Sequence, residues 1–242
     1  VKVAIWSDFV CPFCYIGKRR FEAALNQFSQ KDKVEITFKS FELDPNSITN
    51  PNSRIDEIIS AKYGISLEEA KASNDKIIQQ AKTVGLNYDF DNLIPANTFK
   101  AHRLSHYAKT HGIMKEMTER LMKAYFVESL NIDDAETLSK LAGEVGLSSK
   151  DVLTLLQGDK YKDEVREDEK EASDLGITGV PFFVFNDKYA VSGAQPTDAF
   201  LEVLNKIWTE EKSLQNLSYQ EPGNNSNDSS DGPKCENGVC EL

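Results

Sequence analysis

Apolar positions change period along the chain, and the changes mark the elements. Val1 to Trp6, VKVAIW, is a short apolar run with branched side chains and predicts a buried strand. From Pro12 the spacing turns helical: Phe13, Ile16, Phe21, Ala24, Leu25 and Phe28 recur mostly at steps of three. Proline suits the first helical position, where its missing N–H has no bond to make. Val34 to Leu43, VEITFKSFEL, then alternates apolar and polar residues and predicts a second strand. Strand, helix, strand is the opening of a βαβ unit.

The strand signal then stops for more than a hundred residues. Residues 53–64, 66–85, 97–112, 113–129, 134–146 and 148–158 all read as amphipathic helices, and most end in glycine, as C-terminal caps often do. Ser66 with Glu69 predicts a capping box, and Ser148 with Asp151 a looser one. A charged helix over about 159–175 closes the block. Strands return at Val180 to Asn186 and Tyr189 to Ala194, joined by the tight connection Asn186-Asp187-Lys188, and a last helix runs from near Pro196 to about Lys212. The pattern is β-α-β, a helical block, then β-β-α. That matches an α/β thioredoxin-like fold with a large all-helical insertion domain. The expected division is residues 1–45 and 176–212 for the thioredoxin-like part and 46–175 for the insertion. The end of the block is a candidate to donate one more helix to the core. Residues 213–242, rich in Asn, Ser, Asp, Gly and Pro, are expected to form a flexible tail.

A chain of 242 residues can bury a core without disulfide staples. Its net charge of −11 argues against nucleic acid and against an anionic membrane surface, both of which select clustered basic residues. No stretch approaches a membrane span, and no signal-peptide pattern is visible. The chain starts at Val1 without a methionine, so a removed leader stays open. Four cysteines are too few for a disulfide scaffold. In a cytoplasmic setting, which is the expected location, paired cysteines serve catalysis, redox sensing or metal binding.

Cys11-Pro12-Phe13-Cys14 therefore reads as a redox dithiol or as half a zinc site. Placement favours the first. Cys11 follows a strand and opens a helix, where unpaired N–H groups and the helix dipole favour an anion. A thiol there loses its proton more readily, and the thiolate is the nucleophile. Cys14, one turn on and expected to be more buried, would attack the mixed disulfide and release the substrate. Phe13 donates no hydrogen bond and offers shape and apolar surface. The expected reduction potential is moderate, nearer to glutaredoxin or isomerase values than to a strong oxidant. A structural zinc site wants four local ligands, whereas His102, His106 and His111 lie mid-chain. His102 and His106 stand four apart on one helix face, but no third ligand accompanies them, so no metal or other cofactor is expected. Surface or core-edge positions are expected for these histidines.

DFVCPFCYIGKRRFE, NTFKAHRL and ITGVPFFVF together resemble the DsbA-like thioredoxin family, specifically its FrnE-type branch, over roughly residues 1–212. The resemblance implies thiol–disulfide oxidoreductase activity, with Cys11 as nucleophile and Cys14 as resolving thiol. It implies a cis Val180–Pro181 bond beside the dithiol, with the backbone of Val180 pairing an extended substrate segment as an added strand would. Pro12 and Phe13 would border that substrate. Without the resemblance, Pro181 reads as a strand-start proline. Asn97, Thr98, His102 and Arg103 match a recurring feature of the branch. They read either as a capped helix start or as a helix facing the cleft. One departure stands out: thioredoxin-like enzymes often carry a buried acid six residues before the first cysteine, and here that position is Ile5. Asp8 lies nearer, facing either solvent or the site.

Cys235 and Cys240, in CENGVC, form a second pair with Asn237-Gly238 as the turn between them. A tail dithiol of this spacing also occurs in the FrnE branch. The pair is either a relay to Cys11 and Cys14 or a local disulfide or pair of free thiols. The leading expectation is a disulfide oxidoreductase or isomerase acting on protein thiols or disulfides, or on low-molecular-weight thiols. The alternatives are a glutathione-dependent isomerase or transferase on the same scaffold, and a metal- or redox-sensing module.

Overall fold

β1 (Lys2–Ser7) is an inner strand of a mixed sheet, with β2 (Glu35–Ser40) parallel on one side and β3 (Phe182–Phe185) antiparallel on the other. In this computed structural model the described residues are 1–217 and the short strands 235–236 and 239–241. β3 turns into β4 (Tyr189–Ser192) through Asn186 and Asp187, both left-handed at φ 51° and 54°. Positive φ at two central positions is what a type I′ turn requires, and Asn and Asp tolerate it best after glycine. The strand order is β2-β1-β3-β4-β6-β5, where β5 (Cys235–Glu236) and β6 (Val239–Glu241) come from the chain end.

Helices α1 (Pro12–Gln27) and α9 (Thr197–Leu217) cover one face of the sheet. Phe21 of α1 and Phe200 of α9 meet Phe183 and Phe185 of β3, with ring centroids 4.6–6.1 Å apart. Each such ring contributes about 2–3 kcal/mol through burial alone, and together they fix where α1 begins. The other face is covered by α8 (Lys162–Asp174), the end of the helical block. Ala172 of α8 packs with Trp6, Ile177 and Val184, and the Trp6 indole N–H donates to the Asp168 carbonyl at 3.0 Å.

Between β2 and α8 lie α2 (Ile55–Tyr63), α3 (Leu67–Lys82), α4 (Phe99–Thr110), α5 (Met114–Phe126), α6 (Ala135–Glu144) and α7 (Ser149–Gln157). They fall where the apolar spacing places them. Ser66 and Glu69 form the full capping box, and the Ser148 hydroxyl accepts the Asp151 N–H at 3.3 Å. The helices enclose a second core built on Leu104, Met117, Leu121, Phe126, Leu138 and Val152. None of the described helices is long and apolar enough to cross a membrane.

Two features depart from the sequence expectation. α9 continues to Leu217, past the boundary at 212. The tail cysteines lie on strands rather than on loose chain: Cys240 stands opposite Ala190 of β4, and Cys235 opposite Cys240. The turn expected at Asn237-Gly238 lies outside the described residues.

Candidate active site

Cys11 is the N-cap of α1, Pro12 its first residue, and Cys14 one turn on, with the Cys14 N–H donating to the Cys11 carbonyl at 3.0 Å. Cap, proline and strand end together hold the dithiol at the mouth of the helix, where backbone N–H groups point outward. Both cysteines are free thiols. Exposure does not separate them, contrary to expectation: Cys11 is 3% exposed and Cys14 2%. The aromatic residue between them is the open one, Phe13 at 38%. Both sulfurs pack into the core of the helical block rather than the core under the sheet. Tyr15, Tyr88 and Phe126 make a wall of rings there, with Tyr88 and Phe126 stacked at 4.6 Å, and the Tyr88 hydroxyl donates to the Pro12 carbonyl at 2.8 Å.

The Cys11 thiol donates to the Val180 carbonyl at 3.4 Å. The Val180–Pro181 bond is cis, as the resemblance implies. Pro181 accepts from the Gly193 N–H at 2.8 Å, which ties the start of β3 to the end of β4. Gly17, one turn beyond Cys14, is the residue that lets α1 come this close. A Cβ there would lie 3.0 Å from Pro181 Cγ and 3.4 Å from Ala194. A glycine inside a helical pattern is the sequence signal that could have singled it out.

Burial pushes the Cys14 thiol well above its usual range, and Cys11 beside it pushes further in the same direction; the Ser7 hydroxyl and the Asp8 backbone act the other way. Asp8 does not face solvent. It is 1% exposed, accepts the Leu43 N–H at 2.8 Å and meets His102 Nε2 at 3.3 Å. His102 in turn packs on Phe9 at 4.8 Å. The expected surface or core-edge histidines are thus buried in two cases. His106 meets Asp168 Oδ2 and Ser40 Oγ, both at 3.1 Å. Burial pushes the Asp168 carboxyl up, but His106, the Ser40 N–H and Lys39 outweigh it and hold the pKa below the usual range. His102 and His106 therefore serve two separate carboxylates and do not converge.

The remaining residues of the NTFKAHRL segment act at a distance. Asn97 donates to the Pro45 and Ser47 carbonyls at 3.3 and 3.2 Å, and its side-chain oxygen accepts the Phe99 N–H at 3.0 Å. Arg103 is buried and caps the end of α7 through the Leu155, Gly158 and Lys160 carbonyls at 2.5–2.8 Å. On one helix, His102 meets Asp8 at the end of β1 and Arg103 holds the end of α7.

The sequence profile of the DSBA-like thioredoxin domain matches residues 2–205. The chain belongs to that family. A probable DsbA oxidoreductase from Streptomyces coelicolor is 37% identical, with a TM-score of 0.81, covering 100% of this chain and 98% of that one. The uncharacterized protein YwbO of Bacillus subtilis is 33% identical over 202 residues, 83% of this chain and 94% of its own length. The cytosolic disulfide reductase DsbM from Pseudomonas aeruginosa, solved with GSH, shares the fold at 15% identity and a TM-score of 0.59, covering 89% of this chain and 100% of that one. In this DsbA-like chain, spacing alone did not single out Ser7 or Gly17. Glu119, from α5, is a third: it meets Lys18 and Arg19 of α1 and accepts the Tyr15 hydroxyl at 2.6 Å.

Proposed function

We propose that this protein is a thiol–disulfide oxidoreductase or isomerase of the FrnE type, exchanging disulfides with protein substrates through Cys11 and Cys14. The observation that carries the reading is the pair of free thiols at the cap and first turn of α1, with Cys11 in hydrogen-bond contact with the Val180 carbonyl. Cys11 Sγ attacks a substrate disulfide, one substrate sulfur leaves as thiolate, and a mixed disulfide forms at Cys11. Cys14 then attacks Cys11 Sγ, closing the Cys11–Cys14 disulfide and releasing the second substrate thiol. The substrate gains two electrons and the dithiol loses two. An extended substrate segment takes the Val180 backbone as its strand partner, with Pro12 and the open face of Phe13 bordering it. Pro181 completes the site on the side facing Gly17. A low-molecular-weight thiol restores the reduced dithiol, a role supported by the GSH held by the reductase of the same fold. A cytoplasmic location fits a protein kept in that reduced state.

Cys235 and Cys240 are assigned as a second redox pair. They stand directly opposite each other on antiparallel strands, and the Cα spacing of such a pair lies within that of a disulfide. β6 is three strand steps from β1 across β4 and β3, about 14 Å sideways. Exchange with Cys11 therefore requires β6 to leave β4.

Reduction of insulin disulfides and reactivation of scrambled ribonuclease test the activity. Cys11→Ser is expected to abolish both. Activity surviving in Cys11→Ser, or a purified protein holding stoichiometric zinc, overturns the reading.

A further inference from the structure

We propose that the Ser7 hydroxyl is a catalytic donor to the Cys14 sulfur, stabilising its thiolate as that sulfur attacks or leaves the disulfide. The proposal rests on the reading of Cys14 as the resolving thiol.

Ser7 is the last residue of β1, 7% exposed, and its register partner is Ser40 of β2. Its hydroxyl is buried and has no hydrogen-bond partner among the described residues. Ser40, opposite, uses its own hydroxyl on His106. A buried hydroxyl without an acceptor works against folding, so its retention asks for an acceptor that arises only during function. The neighbouring turn supplies one. Asp8, next to Ser7, carries the carbonyl that accepts the Cys11 N–H at 3.2 Å, and by strand alternation Ser7 lies on the β1 face of Val3 and Ile5, the face on which α1 packs, at the end of the strand from which the dithiol turn leads. Ser7 and the Asp8 backbone are the two groups that favour the charged form of Cys14, against burial and the Cys11 sulfur, which oppose it.

The exchange makes that charge unavoidable. In the resolving step Cys14 gives up its proton and attacks Cys11 Sγ. The bond between Cys11 Sγ and the substrate sulfur breaks, and the departing thiolate takes up a proton to leave as the thiol. In the reverse direction Cys14 leaves as the thiolate when a substrate thiolate attacks Cys11. Either way a negative sulfur forms in a site that excludes water. A donor that is idle against the neutral thiol and engaged by the thiolate lowers the barrier without strengthening the resting state.

The test compares Ser7→Ala and Ser7→Thr in the full chain carrying Cys235→Ser and Cys240→Ser. A small aryl disulfide loads Cys11 as a mixed disulfide, and acid quenching with intact mass follows its decay. A hydrogen bond to a charged group predicts a Ser7→Ala lifetime roughly tenfold to a hundredfold longer. The loading rate is expected to stay within about twofold, and the thermal midpoint to be unchanged or higher, because an orphan hydroxyl has been removed. Ser7→Thr, which keeps the hydroxyl, restores the fast decay. An unchanged lifetime in Ser7→Ala overturns the proposal, as does Ser7→Thr decaying as slowly as Ser7→Ala while remaining folded. If the parent protein forms no Cys11 adduct that Cys14 resolves, the oxidoreductase reading fails, and this one with it.

Discussion

Glu119 ties the dithiol helix to the helical block through Lys18, Arg19 and Tyr15, and its removal has a calculable effect. Lys18, nearly fully buried on α1, is 2.5 Å from Glu119 and 2.7 Å from Glu22; Arg19 and the Tyr15 hydroxyl complete the cluster. Burial pushes the Glu119 carboxyl up, but the Lys18 charge and the hydrogen bonds from Arg19, Lys18 and Tyr15 more than offset it, bringing the pKa down to about 2. Against an unfolded value of about 4.3, that depression corresponds to ~3 kcal/mol at neutral pH. The carboxyl is about one-third exposed, so solvent screening reduces it to ~2 kcal/mol. The folded-state pKa is the lower one. The contribution is therefore complete above the unfolded value and is lost as pH falls through about 2, with roughly half gone by about pH 3. Glu119→Gln removes the charge at any pH. Urea unfolding of both proteins should show a difference of ~2 kcal/mol at pH 7, shrinking to ~1 kcal/mol at pH 3. A difference that is equal at both pH values, or larger in acid, refutes the assignment of this stability to the Glu119 charge.

Gly17→Ala should lower the insulin-reduction rate about three- to tenfold with little change in thermal midpoint. The helix-propensity gain of ~1 kcal/mol offsets much of the overpacking against Pro181, while a shift of a few tenths of an ångström at that proline misplaces Val180 relative to Cys11. An unchanged rate removes Gly17 from the site. Cys235→Ser with Cys240→Ser should slow reduction of the Cys11–Cys14 disulfide at least about threefold, the rough scale of a lost intramolecular exchange partner. Unchanged active-site reduction and unchanged turnover remove the relay, leaving the tail pair without a catalytic part.

What the sequence discloses about this fold is what depends on period and on local chemistry. The βαβ opening, the seven helices after it and the β3–β4 hairpin follow from apolar spacing, glycine stops and an Asn-Asp turn, each decided within about ten residues. Cys11 and Cys14 are legible for the same reason, since strand, proline and thiol are adjacent in the chain. The environment of those thiols is decided elsewhere. Asp8 reads as an ordinary charge until His102, 94 residues away, and the Leu43 N–H close over it. Glu119 is one of two acids on α5, and nothing in its spacing shows that it will meet α1. The tail strands escape notice because two- and three-residue runs carry no period; only the exposed edge of β4 gives them a partner. Ser7 lies between these cases. A polar residue closing an apolar strand, directly before a dithiol, is visible in the sequence, but it reads as a strand end. Its lack of a partner appears only once Ser40 is seen to be engaged with His106 and the sheet has closed around the hydroxyl. Local pattern thus places the sulfur chemistry, whereas the groups that govern its charge come from contacts that the long helical insertion brings back to the sheet.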